Sequence, residues 1–119
     1  MFETIWWRCH VHAADRRGAE RVVSRLGTQL MRAVEIESYE RYWKFPELAV
    51  MQLVSPLQRS TPETALLTAL ECAWRIATPW SLSAAGSSNE YEGIASANGG
   101  SRFTVPGVEW MEFRINGRP

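Results

Sequence analysis

The chain has 119 residues, of which 45% are hydrophobic and 22% charged, and these values are typical of one globular domain that buries its own core. Its 13 basic and 13 acidic side chains cancel, so the basic excess that most nucleic-acid and membrane-surface binders carry is absent. No apolar run reaches the length of a membrane span, and we therefore expect a single cytoplasmic domain over residues 1–119 with no direct contact to nucleic acid or membrane.

The segment from Glu3 to His12 is predicted to be a β-strand with two different faces, because successive side chains of a strand alternate. One face is apolar and belongs to a core; it carries Ile5, Trp7, Cys9 and Val11. The other face is polar except for one tryptophan, and it carries Thr4, Trp6, Arg8, His10 and His12. Such a face is typical of a sheet surface that meets solvent or a partner.

Apolar residues then recur at helical spacing in two segments, and each segment is predicted to be an amphipathic helix. The first is predicted from about Arg16 to Met31, with Asp15 as its N-cap. The second is predicted to begin at a capping box in Ser60-Thr-Pro-Glu63 and to end at about residue 77 or 78, since Pro79 follows. Its buried stripe is predicted to comprise Leu66, Leu70, Ala73, Trp74 and Ala77.

Four further strands are predicted: Val34 to Trp43, Leu48 to Val54, Trp80 to Ala84 and Val108 to Ile115. In the first of these, strict alternation would put the apolar side chains at the start and at the end of the strand on opposite faces. A bulge near Ser38 would bring them to one face. The interval 85–107 is rich in Gly, Ser and Asn and is predicted to be a long loop with a short strand at Ile94 and Ala95.

The order of elements is strand, helix, strand, strand, helix, strand. It predicts an α+β fold of the ferredoxin-like, split βαβ type, in which two helices cover one face of an antiparallel sheet. The final strand, Val108 to Ile115, is extra to the minimal version of that fold.

No catalytic constellation is visible in the sequence. His10 and His12 have a spacing that can bind a metal, but no further His or Cys is placed to supply a third ligand, so we expect neither a metal nor a cofactor. Serine-nucleophile and phosphate-loop motifs are absent as well. Cys9 and Cys72 are too few for a disulfide framework and are predicted to be buried thiols.

A mixed aromatic and charged patch is the better candidate for a function, because aromatic residues and arginine dominate the energetics of protein interfaces. The predicted strand registers place it on the face opposite the helices, with Trp6, Arg8, His10, Trp110, Glu112 and Arg114 as members. Alternatively, the long loop folds over this face and buries both tryptophans as a second small core. A second candidate contact is the loop tip that follows Asn89, with Glu90, Tyr91 and Glu92; the alternative there is a solvated charge cluster.

The C-terminal third contains a Gly-rich loop with a polar and aromatic tip, and then Phe103-Thr-Val-Pro-Gly-Val-Glu-Trp110 before a final strand. In these features it resembles the small immunity proteins of bacterial polymorphic and contact-dependent toxin systems. The resemblance implies an intracellular protein that binds one cognate protein toxin and blocks its action. For a nuclease toxin we expect a local acidic surface, for which the chain offers Glu35, Glu37, Glu40, Glu90, Glu92, Glu109 and Glu112.

Two other hypotheses remain open. The first is a dimeric ferredoxin-like enzyme of the small monooxygenase type, which predicts a deep apolar cleft between sheet and helices, with a lining of Trp6, Trp7, His10 and Trp74. The second is a regulatory domain of the same architecture that binds a small ligand. The predicted register counts against the enzyme because it turns His10 away from the helices. For the immunity hypothesis we expect a monomer or a weak homodimer.

Overall fold

The computed structural model describes residues 2–59, 61–85 and 90–116, and in these ranges the chain forms an α+β fold. The helices are α1 (Arg16–Leu30) and α2 (Pro62–Ile76), and neither has the length and apolar composition needed to cross a bilayer. The strands are β1 (Phe2–His12), β2 (Glu35–Arg41), β3 (Leu48–Arg59), β4 (Ala77–Thr78), β5 (Ser81–Ala85), β6 (Glu90–Ser96), β7 (Arg102–Phe103) and β8 (Val108–Ile115).

Six of these strands form one antiparallel sheet in the order β2-β3-β1-β8-β6-β5, and β4 pairs separately with β7. Strand β1 lies inside the sheet, between β3 and β8. The register places Trp7 between Leu53 and Phe113, and it places His10 between Val50 and Trp110. Since cross-strand partners share a face, these two rows mark the two sides of the sheet.

The hydrophobic core lies between one side of the sheet and both helices. The apolar face of β1 contributes Ile5, Trp7, Cys9 and Val11, none of which is more than 1% exposed, as the alternation predicted. Both cysteines are buried and free, and burial raises the pKa of Cys9 to about 12, so its thiol stays protonated at neutral pH. The opposite side of the sheet, the open face, is covered by neither helix.

Both helices begin at a side-chain cap. The Asp15 carboxylate accepts a hydrogen bond from the backbone N–H of Gly18 at 2.8 Å, as predicted for the start of α1. At the start of α2, the Thr61 hydroxyl accepts from the backbone N–H of Thr64 at 3.2 Å, and Pro62 occupies the first turn. The N-cap is therefore Thr61, and Ser60, on which the predicted capping box depended, lies outside the described residues.

The buried stripe of α2 differs from the predicted one. The structure buries Ala65, Thr68, Ala69, Cys72, Ala73 and Ile76. Leu66 and Leu70 are only partly buried against the core, and Trp74 is 59% exposed, so the predicted burial of Trp74 is wrong. Small side chains on the inner face let α2 approach the sheet closely, and the large ones are turned toward solvent.

The bulge predicted near Ser38 is confirmed. The pairing of β2 with β3 shifts by one residue between Ile36 and Ser38. As a result Ile36 and Tyr39 both reach the core side, although strict alternation would separate them. Strand β2 ends at Arg41, and Trp43, predicted to lie in the strand, follows it and is 85% exposed.

The prediction of a long loop over 85–107 is wrong in part, because the interval contains β6 and β7, and the short strand predicted at Ile94 and Ala95 is a segment of β6. Strand β6 is sandwiched between β5 and β8, and Gly93 lies beside Phe113. Its core-side positions are Tyr91, Gly93 and Ala95, and the two small residues there hide the apolar alternation in the sequence. Residues 86–89 lie outside the described part of the chain.

Candidate functional site

The open face brings together the six residues that the predicted registers assigned to one patch. Along β1 and β8, Trp6 pairs with Arg114, Arg8 with Glu112, and His10 with Trp110. The side chains of Trp6, Arg8, His10 and Trp110 are all partly exposed. The loop interval that could have covered them extends the sheet instead, through β6.

The imidazole of His10 lies between two aromatic rings. Its centroid is 4.8 Å from that of Tyr42 and 4.7 Å from that of Trp110. Tyr42 in turn meets Trp43 and Phe45 edge to face, at 6.1 Å and 5.9 Å. We call these five side chains the aromatic cluster; it joins the open face to the connection between β2 and β3.

Sequence reasoning missed three members of the aromatic cluster. Tyr42 and Trp43 were predicted only as the end of a strand and Phe45 was assigned no role, yet the three occupy three of four consecutive positions. Trp43 is 85% exposed and Phe45 is 46% exposed. Aromatic residues this dense in an exposed turn are a signal of binding that the sequence already carried.

Two shallow grooves flank the stack of His10. The groove of about 470 Å³ continues toward Arg8, Glu40 and Gln52. The groove of about 450 Å³ continues toward His12, Glu109 and Asn98. Both are open to solvent and have aromatic walls with polar ends, which suits side chains of a protein partner better than an enclosed small substrate.

A larger hollow of about 790 Å³ lies away from the aromatic cluster, at the end of the sheet where β2 begins, around Thr4, Glu35, Val54 and Pro56. No histidine or aromatic residue lines it, and glutamates are its ionisable side chains. Volume alone does not make a site, and we therefore place the candidate site at the aromatic cluster.

An ion-pair network lies next to the cluster on the open face. The Arg114 guanidinium contacts Glu112 at 3.3 Å and Glu92 at 3.0 Å, and the Ser83 hydroxyl donates to Glu92 at 2.8 Å. Glu112 is only 5% exposed, so its carboxylate serves Arg114 within the fold and is not itself presented to a partner.

The open face is acidic although the whole chain is neutral. On this side of the described strands lie Glu35, Glu40, Glu90, Glu92, Glu109, Glu112, Arg8 and Arg114. Six carboxylates against two guanidinium groups leave an excess of four negative charges while both histidines are neutral. A cationic partner surface is therefore attracted to this side.

The predicted loop tip is not a tip. Glu90, Tyr91 and Glu92 lie in strand β6, and Asn89 is outside the described residues. Tyr91 pairs with Ile115 and packs against the core, so it points away from the open face. The alternation of the strand separates Tyr91 from the two glutamates on either side.

The predicted lining of an enzyme cleft is not assembled. Trp7 is buried in the core, Trp74 is exposed on α2, and Trp6 and His10 lie on the open face. The histidine pair also lacks a third ligand: His12 Nε2 contacts Glu109 at 2.9 Å, and within the described ranges no group of three His, Cys, Asp or Glu side chains could hold a metal ion.

Comparisons of the chain with models of protein families, with curated proteins and with solved structures find no match. The open face itself is therefore the guide to function. Its chemistry is that of a recognition surface: rigid aromatic rings, an acidic surround and partly exposed arginine.

Protonation of His10 is expected to destabilise the fold. Burial against Tyr42 and Trp110, followed by the charge of Arg8, lowers the pKa of His10 below the usual 6.5. Because the folded state favours the neutral imidazole, this contribution to stability is complete above pH 6.5 and is lost as the pH falls through the lowered pKa. NMR titration should give His10 a midpoint below 6.5, whereas a midpoint at or above 6.5 contradicts the assignment.

The corresponding variant is His10→Phe, which keeps a ring in the stack and removes the titration. Urea unfolding at about pH 7.5 and about pH 5.5 should show a smaller loss of stability for this variant than for the wild type. His12→Phe serves as the control for the general effect of removing an imidazole, because His12 lies two residues from His10 on the same face of β1.

Proposed function

We propose that the protein is an immunity protein, a non-enzymatic inhibitor that binds a cognate bacterial protein toxin through the open face and neutralises it. The observation that carries the proposal is the coincidence of the aromatic cluster with an excess of four negative charges on the same face. The sequence resemblance of the segment Phe103 to Trp110 to immunity proteins supports it independently.

The two features have separate roles in binding. Large aromatic side chains such as Trp43 and Trp110 are the residue types that contribute most of the affinity at protein interfaces. The surrounding carboxylates speed association with a basic surface and disfavour acidic ones. A nuclease domain presents a basic surface to its substrate, so this inhibitor would cover the substrate site of such a toxin.

The scaffold suits an inhibitor that works by occupying a surface. Strand β1 is held on both sides, by β3 and β8, so the open-face positions of Arg8 and His10 are fixed before binding. The task requires no catalytic group and no cofactor. We place this activity in the cytoplasm, where such a toxin would reach its substrate.

For the fold, we propose the ferredoxin-like split βαβ arrangement for the part of the chain that includes both helices and the strands β2, β3, β1 and β8. Their order in the sheet, with every neighbour antiparallel, supports this assignment. The strands β6 and β5 would then be an extension of the sheet beyond β8.

The experiment is co-expression of the tagged protein with whatever large secreted protein is encoded immediately upstream of it, followed by affinity purification and a growth assay. We expect a one-to-one complex that restores growth. Trp110→Ala should weaken the complex by about 2 kcal/mol, or about 30-fold in Kd, because it removes one side of the His10 stack. Titration calorimetry of the purified partners measures the change.

Two further variants make this result specific. Trp43→Ala should weaken binding without affecting the fold, since the side chain is 85% exposed. The matched control is Trp74→Ala, a tryptophan of α2 that is 59% exposed on the other side of the molecule, and it should bind as the wild type does. Failure to form any complex, or wild-type affinity for both Trp110→Ala and Trp43→Ala, would overturn the proposal.

A further inference from the structure

Helices α1 and α2 lie side by side on the core side of the sheet, and we call them the helix layer. The outer surfaces of the two helices differ in charge and in polarity. Helices α1 and α2 are neighbours, and the Arg75 guanidinium donates to the backbone carbonyl of Leu30 at 3.2 Å. On α1, the residues opposite the buried stripe are basic or small and polar; they are Arg17, Arg21, Ser24, Arg25 and Thr28. All of them are exposed.

Of the four arginines of α1, Arg16 lies over the ring of Tyr39, and the other three are not used inside the described part of the chain. Arg17, Arg21 and Arg25 form neither an ion pair nor a side-chain hydrogen bond with any described residue. The first turn of α1 contains no acidic residue, and Arg17 lies there against the preference of the helix dipole for negative charge. Folding alone gives no reason for this row of positive charge.

The outer face of α2 is apolar where a helix on a sheet is ordinarily polar. Leu67 is 61% exposed and Trp74 is 59% exposed, one above the other at a spacing of seven residues. Leu70 lies between them. Glu63 and Glu71 flank this apolar stripe, and neither forms an ion pair with a described residue.

We propose that the helix layer is the interface of a homodimer with two-fold symmetry. The apolar stripes of the two α2 helices pack on each other, and the arginine row of each α1 meets Glu63 and Glu71 of the other copy. A two-fold interface must be complementary to itself, and this surface meets that condition because the basic row and the acidic flank lie on adjacent helices. The open face stays free on both copies.

A second copy explains this surface better than a polyanion does. Phosphate groups of a nucleic acid would engage the row of Arg17, Arg21 and Arg25. They would leave Leu67 and Trp74 in water, however, and like charge would keep them from Glu63 and Glu71. Only a partner with an apolar centre and both signs of charge matches the whole surface, and the chain itself carries that surface.

The first test is sedimentation equilibrium of the full chain over a concentration range that extends to the millimolar. We expect a monomer–dimer equilibrium. Trp74→Ala should raise the dissociation constant of the dimer by at least about tenfold, because tryptophan is the residue most often essential at an interface. Trp43→Ala is the matched control, since it removes an exposed tryptophan from the open face and should leave the dimer unchanged.

The second test uses two charge reversals that are both on the helix surface and both exposed. Arg21→Glu makes the contact acidic on both sides, and Glu71→Arg makes it basic on both sides, so each variant alone should dissociate about three- to tenfold more readily. An equimolar mixture of the two should associate again, since each contact then joins opposite charges.

A monomer at every concentration overturns the proposal. A dimer that persists unchanged in Trp74→Ala and in both charge variants overturns it as well, because the interface then lies elsewhere. If Arg21→Glu instead abolishes binding to a duplex oligonucleotide while self-association is absent, the helix layer binds a polyanion and the homodimer is wrong. None of these outcomes depends on the toxin complex, which uses the other face.

Discussion

Replacement of Trp7 by alanine is expected to lower the free energy of unfolding by about 3–5 kcal/mol. Trp7 is 1% exposed and is the largest fully buried side chain among the described residues. Its ring meets Phe113 edge to face at a centroid distance of 5.8 Å and Trp80 at 6.4 Å. Truncation removes this aromatic contact as well as the burial, and the surrounding strands cannot close the cavity.

Urea unfolding followed by circular dichroism measures this loss without relying on tryptophan fluorescence. Trp43→Ala is the control, because the same chemical change at a side chain 85% exposed should alter stability by no more than about 0.5 kcal/mol. If the two substitutions changed the free energy of unfolding by similar amounts, the core would not depend on Trp7 as the structure indicates.

Replacement of Gly93 by alanine is expected to cost about 1–3 kcal/mol, although it adds one methyl group. A Cβ atom at this position overlaps Cε2 of Phe113, and it lies 2.8 Å from Cζ of the same ring and 3.0 Å from Cδ2 of Leu82. Phe113 is fully buried and cannot move aside without disturbing Trp7 and Trp80. The strain arises from space, since the backbone of Gly93 has no left-handed conformation.

Two comparisons isolate this effect. Gly99→Ala should be close to neutral, because its Cβ would meet only ordinary contacts, 3.5 Å and longer, with Ser96. In a Phe113→Leu background, Gly93→Ala should cost less than in the wild type, since the ring that blocks the methyl group is gone. A Gly93→Ala variant as stable as the wild type, or a cost that Phe113→Leu does not reduce, contradicts the packing described.

Elements with a strong local signal could be predicted from the sequence. The alternation of apolar and polar side chains predicted both faces of β1, and the interruption of that alternation near Ser38 predicted the bulge of β2. The registers of β1 and β8 followed from the same alternation, which is why Trp6, Arg8, His10 and Trp110 were assigned to one face. For these residues, position along a strand was enough to predict which face of the sheet each side chain occupies.

Features that depend on distant packing could not be predicted in this way. Only Ile94 and Ala95 of strand β6 were predicted as strand, because small residues, Gly93 and Ala95, occupy its inner positions; the small size of Gly93 reflects the ring of Phe113 on the next strand. Trp74 was assigned to the core on hydrophobicity, but alanines on the inner face of α2 leave no room for an indole there. The contact of Tyr42 with His10 joins a turn to a strand, and no local pattern encodes it.

The pairing of β1 with β8 ties the beginning of the described chain to its end. Ile5 pairs with Ile115, and His10 pairs with Trp110. During translation, β1 can pair with β3 early, but its other edge waits until β8 has left the ribosome, and closing so large a loop is slow. The His10–Trp110 stack therefore forms only after β8 has been made and has reached β1, so the surface that we propose for toxin binding is completed late in folding.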